Sequence, residues 1–300
     1  MTLLLLRIFS HFPFGVLHAI SGFMARLASD VVGYRRSVIR ANIERSFPER
    51  STIERRQIER FYYRHFADIT LESVKNFSIA DGEAQSRMGH VGVEVFEPFF
   101  KAGRSVLIAG GHFNNWELYA MTANQNLPHD AMAVYKRLSN QAMDDAVRNS
   151  RQRFGLEMVR TVDAQAWMDA NAQGERPKAV IMGFDQSPAD PIKSWWNLFL
   201  HQETAWYFGL EKWARLYDLP VIYGHIRKLE RGRYETHYEL VTDEPKRQPE
   251  GAILQQCIDL LEADIRETPH QWLWSHKRWK HARPESMRLN PRPEAEKKSA

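Results

Sequence analysis

Three hundred residues allow one large domain or two small ones, and 43% hydrophobic content suffices for a sizeable core. The formal net charge of +4 is too modest to identify an anionic partner by itself. A single cysteine, Cys257, excludes an internal disulfide framework and any cysteine-based zinc site, and suits a reducing, cytoplasm-facing location.

The chain opens MTLLLLRIFSHFPFGVLHAISGFMARLASDVVGYRR. No basic region precedes the apolar run and no clear cleavage site follows it, which argues against a secretory signal. Arg7, His11, Pro13 and His18 interrupt what would need to be about 20 nearly uncharged residues to span a bilayer. Leu4, Leu5, Ile8, Phe9, Phe12 and Val16 recur at helical spacing. Residues 1–34 are therefore expected to form a membrane-associated helix lying in the interface, the alternative being a soluble amphipathic helix packed on the core. Residues 35–64 follow with nine arginines against four glutamates. Glu and Arg recur at spacings that support solvated helices, and the basic excess suits an anionic bilayer surface. Pro48 and Ser51, in SFPERS, predict a helix stop and restart.

Beyond residue 100 the chain alternates. SVLIAG (105–110), AMAVYK (131–136), LEMVR (156–160) and KAVIMG (178–183) predict short buried strands, with helices near 115–126, 139–153 and 164–173. A hairpin turning at Arg231-Gly232 is expected over 220–241, and a long helix over about 250–267. The pattern predicts an α/β fold with a central, largely parallel or mixed sheet flanked by helices. One domain over 35–283 is expected, followed by a disordered tail over 284–300.

The stretch VLIAGGHFNNWELYA (106–120) carries the chemistry. His112 and Glu117 are five apart, but that spacing alone says little. With 12 histidines and 37 acids in the chain, chance supplies one or two such pairs, and His225/Glu230 is the second. On one continuous helix, residues five apart diverge by about 140°; on a strand they occupy opposite faces. His225 and Glu230 lie in one expected strand and its turn, so nothing joins them. His112 follows Gly110-Gly111 at a strand end, and the helix holding Glu117 begins at once, with Asn114 or Asn115 as its cap. The turn can bring imidazole and carboxylate together. Such a histidine could take a proton from an attacking hydroxyl; equally, it could be a structural cap or a core histidine. No second His or Cys lies at ligand spacing, so no metal is expected. No G-x-S-x-G elbow, G-x-G-x-x-G or Walker loop is present.

GGHFNNWE resembles the G-H-F-x-N-W-E block of the bacterial lipid A late acyltransferases, part of the lysophospholipid acyltransferase-like superfamily with its H-x4-D/E motif. NIERSFPERS, VYKRLSNQAMDDAVRNSRQRFG, GFDQSP and PHQWLWSHKRWK resemble further blocks in order, covering roughly residues 1–282. The resemblance implies transfer of a fatty acyl chain from an acyl carrier protein or CoA thioester to a hydroxyl of a lipid A precursor, at the cytoplasmic face of the inner membrane. No cofactor or metal is implied. His112 would be the general base and Glu117 its orienting partner. Arg151 would hold a phosphate or the oxyanion. Asp185 would line the site and position a basic group or the acceptor. Lys136 and Asn115 join the expected substrate-binding set. Asn114 stands where the family often has Gly, and Asn tolerates similar backbone angles. WWNLFLHQET (195–204) could bind the acceptor or chain, or simply pack in the core. Trp272, Trp274 and Trp279, set among Lys277, Arg278, Lys280 and Arg283, suit a membrane interface; a nucleic-acid strip is disfavoured because no nucleic-acid fold signature accompanies it. The competing functions are an acyltransferase acting on another lipid, such as a lysophospholipid or amino-acid lipid, and a non-enzymatic membrane-surface binding protein.

Overall fold

The computed structural model describes residues 2–291. Pro13 divides the expected N-terminal helix into α1 (Thr2–Ser10) and α2 (Phe14–Arg26), because proline lacks the N–H that would continue the first helix but suits the start of the next. A π-helical turn (Leu27–Val32) ends at left-handed Gly33. No helix among the described residues is long and apolar enough to cross a membrane. Helix α3 (Arg36–Ser46) stops before Pro48, and α4 (Thr52–Lys75) restarts at Ser51. Ser51 accepts from the Glu54 N–H while the Glu54 carboxylate accepts from the Ser51 N–H, a reciprocal capping box. Helices α1 and α2 pack against α4.

After α5 (Asp81–Arg87), β1 (Met88–Val91) and the short α6 (Glu97–Lys101) comes the predicted alternation. It runs β2 (Val106–Gly110), α7 (Trp116–Asn126), β3 (Asp130–Tyr135), α8 (Gln141–Gln152), β4 (Glu157–Arg160), α9 (Ala164–Asn171) and β5 (Lys178–Gly183). A separate hairpin, β6 (Trp195–Phe199) and β7 (Gln202–Trp206), precedes α10 (Gly209–Tyr217). The predicted hairpin follows as β8 (Val221–Glu230) and β9 (Arg233–Thr242), then the long helix α11 (Ala252–Glu267).

The seven-stranded sheet has the order β1-β9-β8-β2-β5-β3-β4. It is parallel except where β8 meets β9, so the fold is the expected mixed α/β class. Strand β2 lies near its centre, and successive side chains point to opposite faces. Leu107 and Ala109 enter the core beneath α10 and α11; Val106 and Ile108 enter the one beneath α7. Burial on both faces explains the unbroken apolar run.

The tryptophan-rich stretches pack inward. Trp196, Trp206, Trp272 and Trp274 are fully buried, and Trp196, Trp206 and Trp274 donate their indole N–H to Pro191 O, Asn197 Oδ1 and Pro269 O respectively. The 195–204 stretch is thus largely core packing. In the C-terminal stretch Trp272, Trp274 and Arg278 are interior, leaving Lys277 and Lys280 exposed, so it is not the alternating surface strip expected for an interface. Residues 284–291 run irregularly, with Asn290 hydrogen-bonded to Trp196 O; the rest of the expected tail lies outside the described residues.

Candidate active site

Strands β2 and β5 pair in parallel and in register, from Val106 opposite Ala179 to Gly110 opposite Gly183. Both therefore end at one level of the sheet. Two residues beyond each terminal glycine stand His112 and Asp185, side by side. A loop at the carboxyl ends of strands is where open α/β sheets bind ligands.

Asp185 grips His112 twice. Its Oδ1 lies 2.6 Å from His112 Nδ1, and its Oδ2 accepts from the His112 backbone N–H at 2.8 Å. Trp272 Nε1 donates to the same Oδ2 at 2.7 Å. The ionised carboxylate fixes the proton on Nδ1, leaving the Nε2 lone pair to accept from Gln186 Nε2 at 3.1 Å. The imidazole side chain is 23% exposed. Two glycines make the fit possible. A Cβ on Gly111 would lie 2.6 Å from Leu261 Cδ1, and one on Gly183 would lie 3.0 Å from His112 Cε1.

Burial opposes the charged imidazole, but the charge and hydrogen bond of Asp185 outweigh it. Glu117 adds to the effect and Arg151 subtracts, so His112 is held above the ordinary imidazole value. Burial also opposes the Asp185 carboxylate, yet His112 and the Trp272 indole hold it down to about 2. Opposed shifts of this kind make a coupled acid–base pair rather than two independent groups.

The expected His112–Glu117 hydrogen bond is not formed. Glu117 stands in the first turn of α7 and faces α8, where Arg151 Nε and Nη2 donate to its two carboxylate oxygens at 2.7 and 2.6 Å. Trp116 Nε1 adds a third donor. Glu117 acts on His112 through its charge alone. Asn115 is the cap of α7, accepting from the Leu118 N–H at 3.0 Å. Fully buried, it also donates to Glu72 Oε2, so it supports the turn from behind. Asn114 adopts φ 51°, the left-handed conformation that glycine would take, and its amide is fixed on Ile226 O and Gln271 Oε1. Lys136 is exposed just past β3, with no hydrogen bond to this cluster among the described contacts. His225 pairs with Asp264 at 2.8 Å, while Glu230 pairs with Arg233, so the second spacing match is indeed accidental.

Gln186 and Trp272 were not in the expected set. Asp185 was, but not as the partner of His112. A local signal existed: both KAVIMGFD and SVLIAGGH end a strand at glycine and place a titratable residue two positions later.

Beside the Glu117–Arg151 pair opens a groove of about 170 Å³ between α1, α4, α7 and α8, with Leu6, Val74, Phe77, Met121, Met143 and Val147 along it.

The chain matches the family of bacterial lipid A biosynthesis acyltransferases over residues 1–281. It belongs to that family. It is similar to the lipid A biosynthesis palmitoleoyltransferase of Escherichia coli (strain K12), with 23% identity over 270 residues, covering 89% of this chain and 86% of that one. The lipid A biosynthesis acyltransferase of Shigella flexneri gives the same figures. The enzyme is thus an acyltransferase, and the match extends well beyond the histidine block.

Proposed function

We propose that this acyltransferase moves a fatty acyl chain from a thioester to a hydroxyl of a lipid A precursor, with His112 as general base and Asp185 as its partner. The observation that carries the mechanism is the His112–Asp185 bond, which leaves Nε2 basic on a partly exposed imidazole. The acceptor hydroxyl replaces the Gln186 amide at Nε2 and gives up its proton as its oxygen attacks the thioester carbonyl carbon. The new C–O bond forms a tetrahedral oxyanion. Collapse breaks the C–S bond, and the imidazolium returns its proton to the departing sulfur. No acyl-enzyme is formed.

Arg151, with Nε and Nη2 committed to Glu117, offers Nη1 to an anionic group at the mouth of the groove. The apolar groove is proposed to hold the acyl chain, whose insertion would be driven by burial of CH₂ groups at roughly 0.8 kcal/mol each. Family likeness supports acyl carrier protein as the donor; transfer from its thioester but not from acyl-CoA would test this.

Family likeness is the ground for placing the enzyme at the inner membrane's cytoplasmic face, and two surface features support binding to an anionic membrane surface. Leu4, Leu5, Ile8 and Phe9 of α1, Phe12 of the turn after it and Val16 of α2 are all exposed, as is Val31 beyond them. Arg35, Arg40, Arg45, Arg56, Arg60 and Arg64 are exposed on and around α3 and α4. An apolar stripe with basic neighbours suits an anionic lipid surface.

The deciding experiment is a transfer assay with labelled acyl-carrier-protein donor and lipid A precursor. His112→Ala should lower kcat by about 10²–10⁴-fold. Near-normal turnover would refute the mechanism.

A further inference from the structure

In the resting enzyme the side-chain amide of Gln186 is bonded to His112 Nε2 itself, at 3.1 Å. The histidine dictates which end of the amide faces it. Asp185 keeps the proton on Nδ1, so Nε2 accepts and the NH₂ of Gln186 donates. The ring is enclosed elsewhere. Asp185 takes the Nδ1 edge, Trp116 meets the ring with centroids 5.3 Å apart, and Gly183 sits against Cε1. Nε2 is the edge left to substrate, and Gln186 stands there.

The backbone under Gln186 is held on both sides. Asp185 is buried and bonded to the His112 N–H and the Trp272 indole. Ser187 is buried, and its N–H donates to His276 Nε2 at 2.9 Å; Pro188 O accepts from His281 Nε2 at 3.0 Å. Gln186 between them is exposed, so its side chain can turn without moving the loop.

The attack on the thioester needs a donor at this place. The acceptor hydroxyl must come within about 2.6–3.2 Å of Nε2, and the carbonyl oxygen that becomes anionic then calls for an N–H about 2.7–3.1 Å away. Neighbouring donors are committed. The His112 N–H and the Trp272 indole go to Asp185, the Ser187 N–H to His276, and the Trp116 indole to Glu117. The Gln186 amide differs from these because the acceptor hydroxyl releases it by taking its place on Nε2. A donor is thus freed beside the adduct as the adduct forms.

We propose that Gln186 is a catalytic residue, the donor that holds the oxyanion of the tetrahedral adduct. This rests on the reading of His112 as the general base. As the acceptor oxygen bonds to the thioester carbon, the carbonyl electron pair moves onto its oxygen, which accepts from the Gln186 amide, and the hydroxyl proton passes to His112 Nε2. On collapse that pair re-forms the C=O bond, the C–S bond breaks, and the proton goes to sulfur. Gln186 then returns to Nε2.

The test uses two derivatives of pantetheine, the arm common to carrier-protein and CoA thioesters. In one a tetrahedral, anionic alkylphosphonate replaces the acyl group; the other is an alkyl thioether with no oxygen at that position. Dissociation constants are measured by calorimetry for full-length wild type, Gln186→Met and Gln186→Asn. Wild type should bind the phosphonate about 10²-fold more tightly than the thioether, the scale of one oxyanion donor, and Gln186→Met should lose most of that preference. Thioether affinity should not change, and Gln186→Asn, with its shorter amide, should fall between. In the transfer assay Gln186→Met should lower kcat by a similar factor and leave KM alone. Equal preference in wild type and Gln186→Met, or no preference in wild type, overturns the proposal. So does faster turnover by Gln186→Met, which would make the amide only a plug on Nε2. Should the Met variant fail to fold, Gln186→Ala gives the same comparison. The binding measurement needs neither acceptor nor proton transfer, so an error in the proposed function shows separately, as an inactive wild type or an active His112→Ala.

Discussion

Removing the charge from Asp185 and from Glu117 should have different consequences, although both carboxylates act on one histidine. Asp185→Asn keeps the shape but no longer dictates the Nδ1–H tautomer, so kcat should fall by about 10²–10⁴-fold. Glu117→Gln loosens Arg151 and should cost about 10- to 100-fold, chiefly in KM, the scale of a charge-assisted pair. Steady-state kinetics separates them, and equal losses in kcat would contradict the division of labour. In the proposed mechanism His112 acts as a base only when neutral, and it is held above the ordinary imidazole value of 6.5. Activity should therefore fall as pH drops through a value above 6.5. Stability has the opposite dependence for this group. A raised imidazole stabilises the fold fully below 6.5, and that contribution fades as pH rises through the folded value. The depressed Asp185 contributes above its usual 3.8, and loses this as pH falls towards about 2. Both contributions are present between 3.8 and 6.5. Chemical unfolding of Asp185→Asn over that range should show its largest deficit there.

At the scale of elements, the turn from β2 into α7 is held by its surroundings. Asn115 caps α7 and reaches Glu72 on α4, and Glu72 also takes His18 of α2 and Tyr234 of β9. Asn115→Ala should cost about 1–2 kcal/mol in unfolding measurements, as lost caps do, and more than a lost cap alone if buried Glu72 is left short of a donor. The exposed apolar stripe on α1 makes a different demand. Replacing Leu4 and Ile8 by Asp should reduce binding to anionic vesicles about tenfold or more in sedimentation assays, with little change in melting temperature because neither side chain is buried. Most elements could be read from sequence because they follow local rules. Ser51 and Glu54 mark the start of α4, and the terminal glycines of β2 and β5 mark their ends. Strand β1, with Gly89 and His90 in its four residues, carries no such pattern. The β6–β7 hairpin turns at Leu200-His201, both left-handed, without the Asn-Gly or Gly signal that normally announces a two-residue turn.

Across the whole molecule, strand order decides what neighbouring residues can do. That β2 lies between β5 and β8 cannot be read from the alternation of apolar runs, since hydrophobic periodicity specifies strands but not their neighbours. Local spacing predicts Glu117 beside His112, and the sheet puts Asp185 there instead, 73 residues away in sequence. The same limitation applied to QWLWSHKRWK. Its composition suits a lipid surface, yet packing against Phe47, Phe199 and Trp206 takes its tryptophans and Arg278 inside.

The third donor to Asp185 also bears on when the enzyme becomes active. Trp272 reaches back to the carboxylate, and its backbone pairs with Phe113 in an isolated bridge beside His112. A nascent chain can form β2, α7 and β5 long before residue 272 leaves the ribosome, since folding follows synthesis from the N-terminus. Until then Asp185 lacks its indole donor and the wall beyond Phe113 is missing. The order of synthesis thus makes the C-terminal segment the last part of the proposed site to arrive, so a truncated chain would carry the histidine without its finished environment.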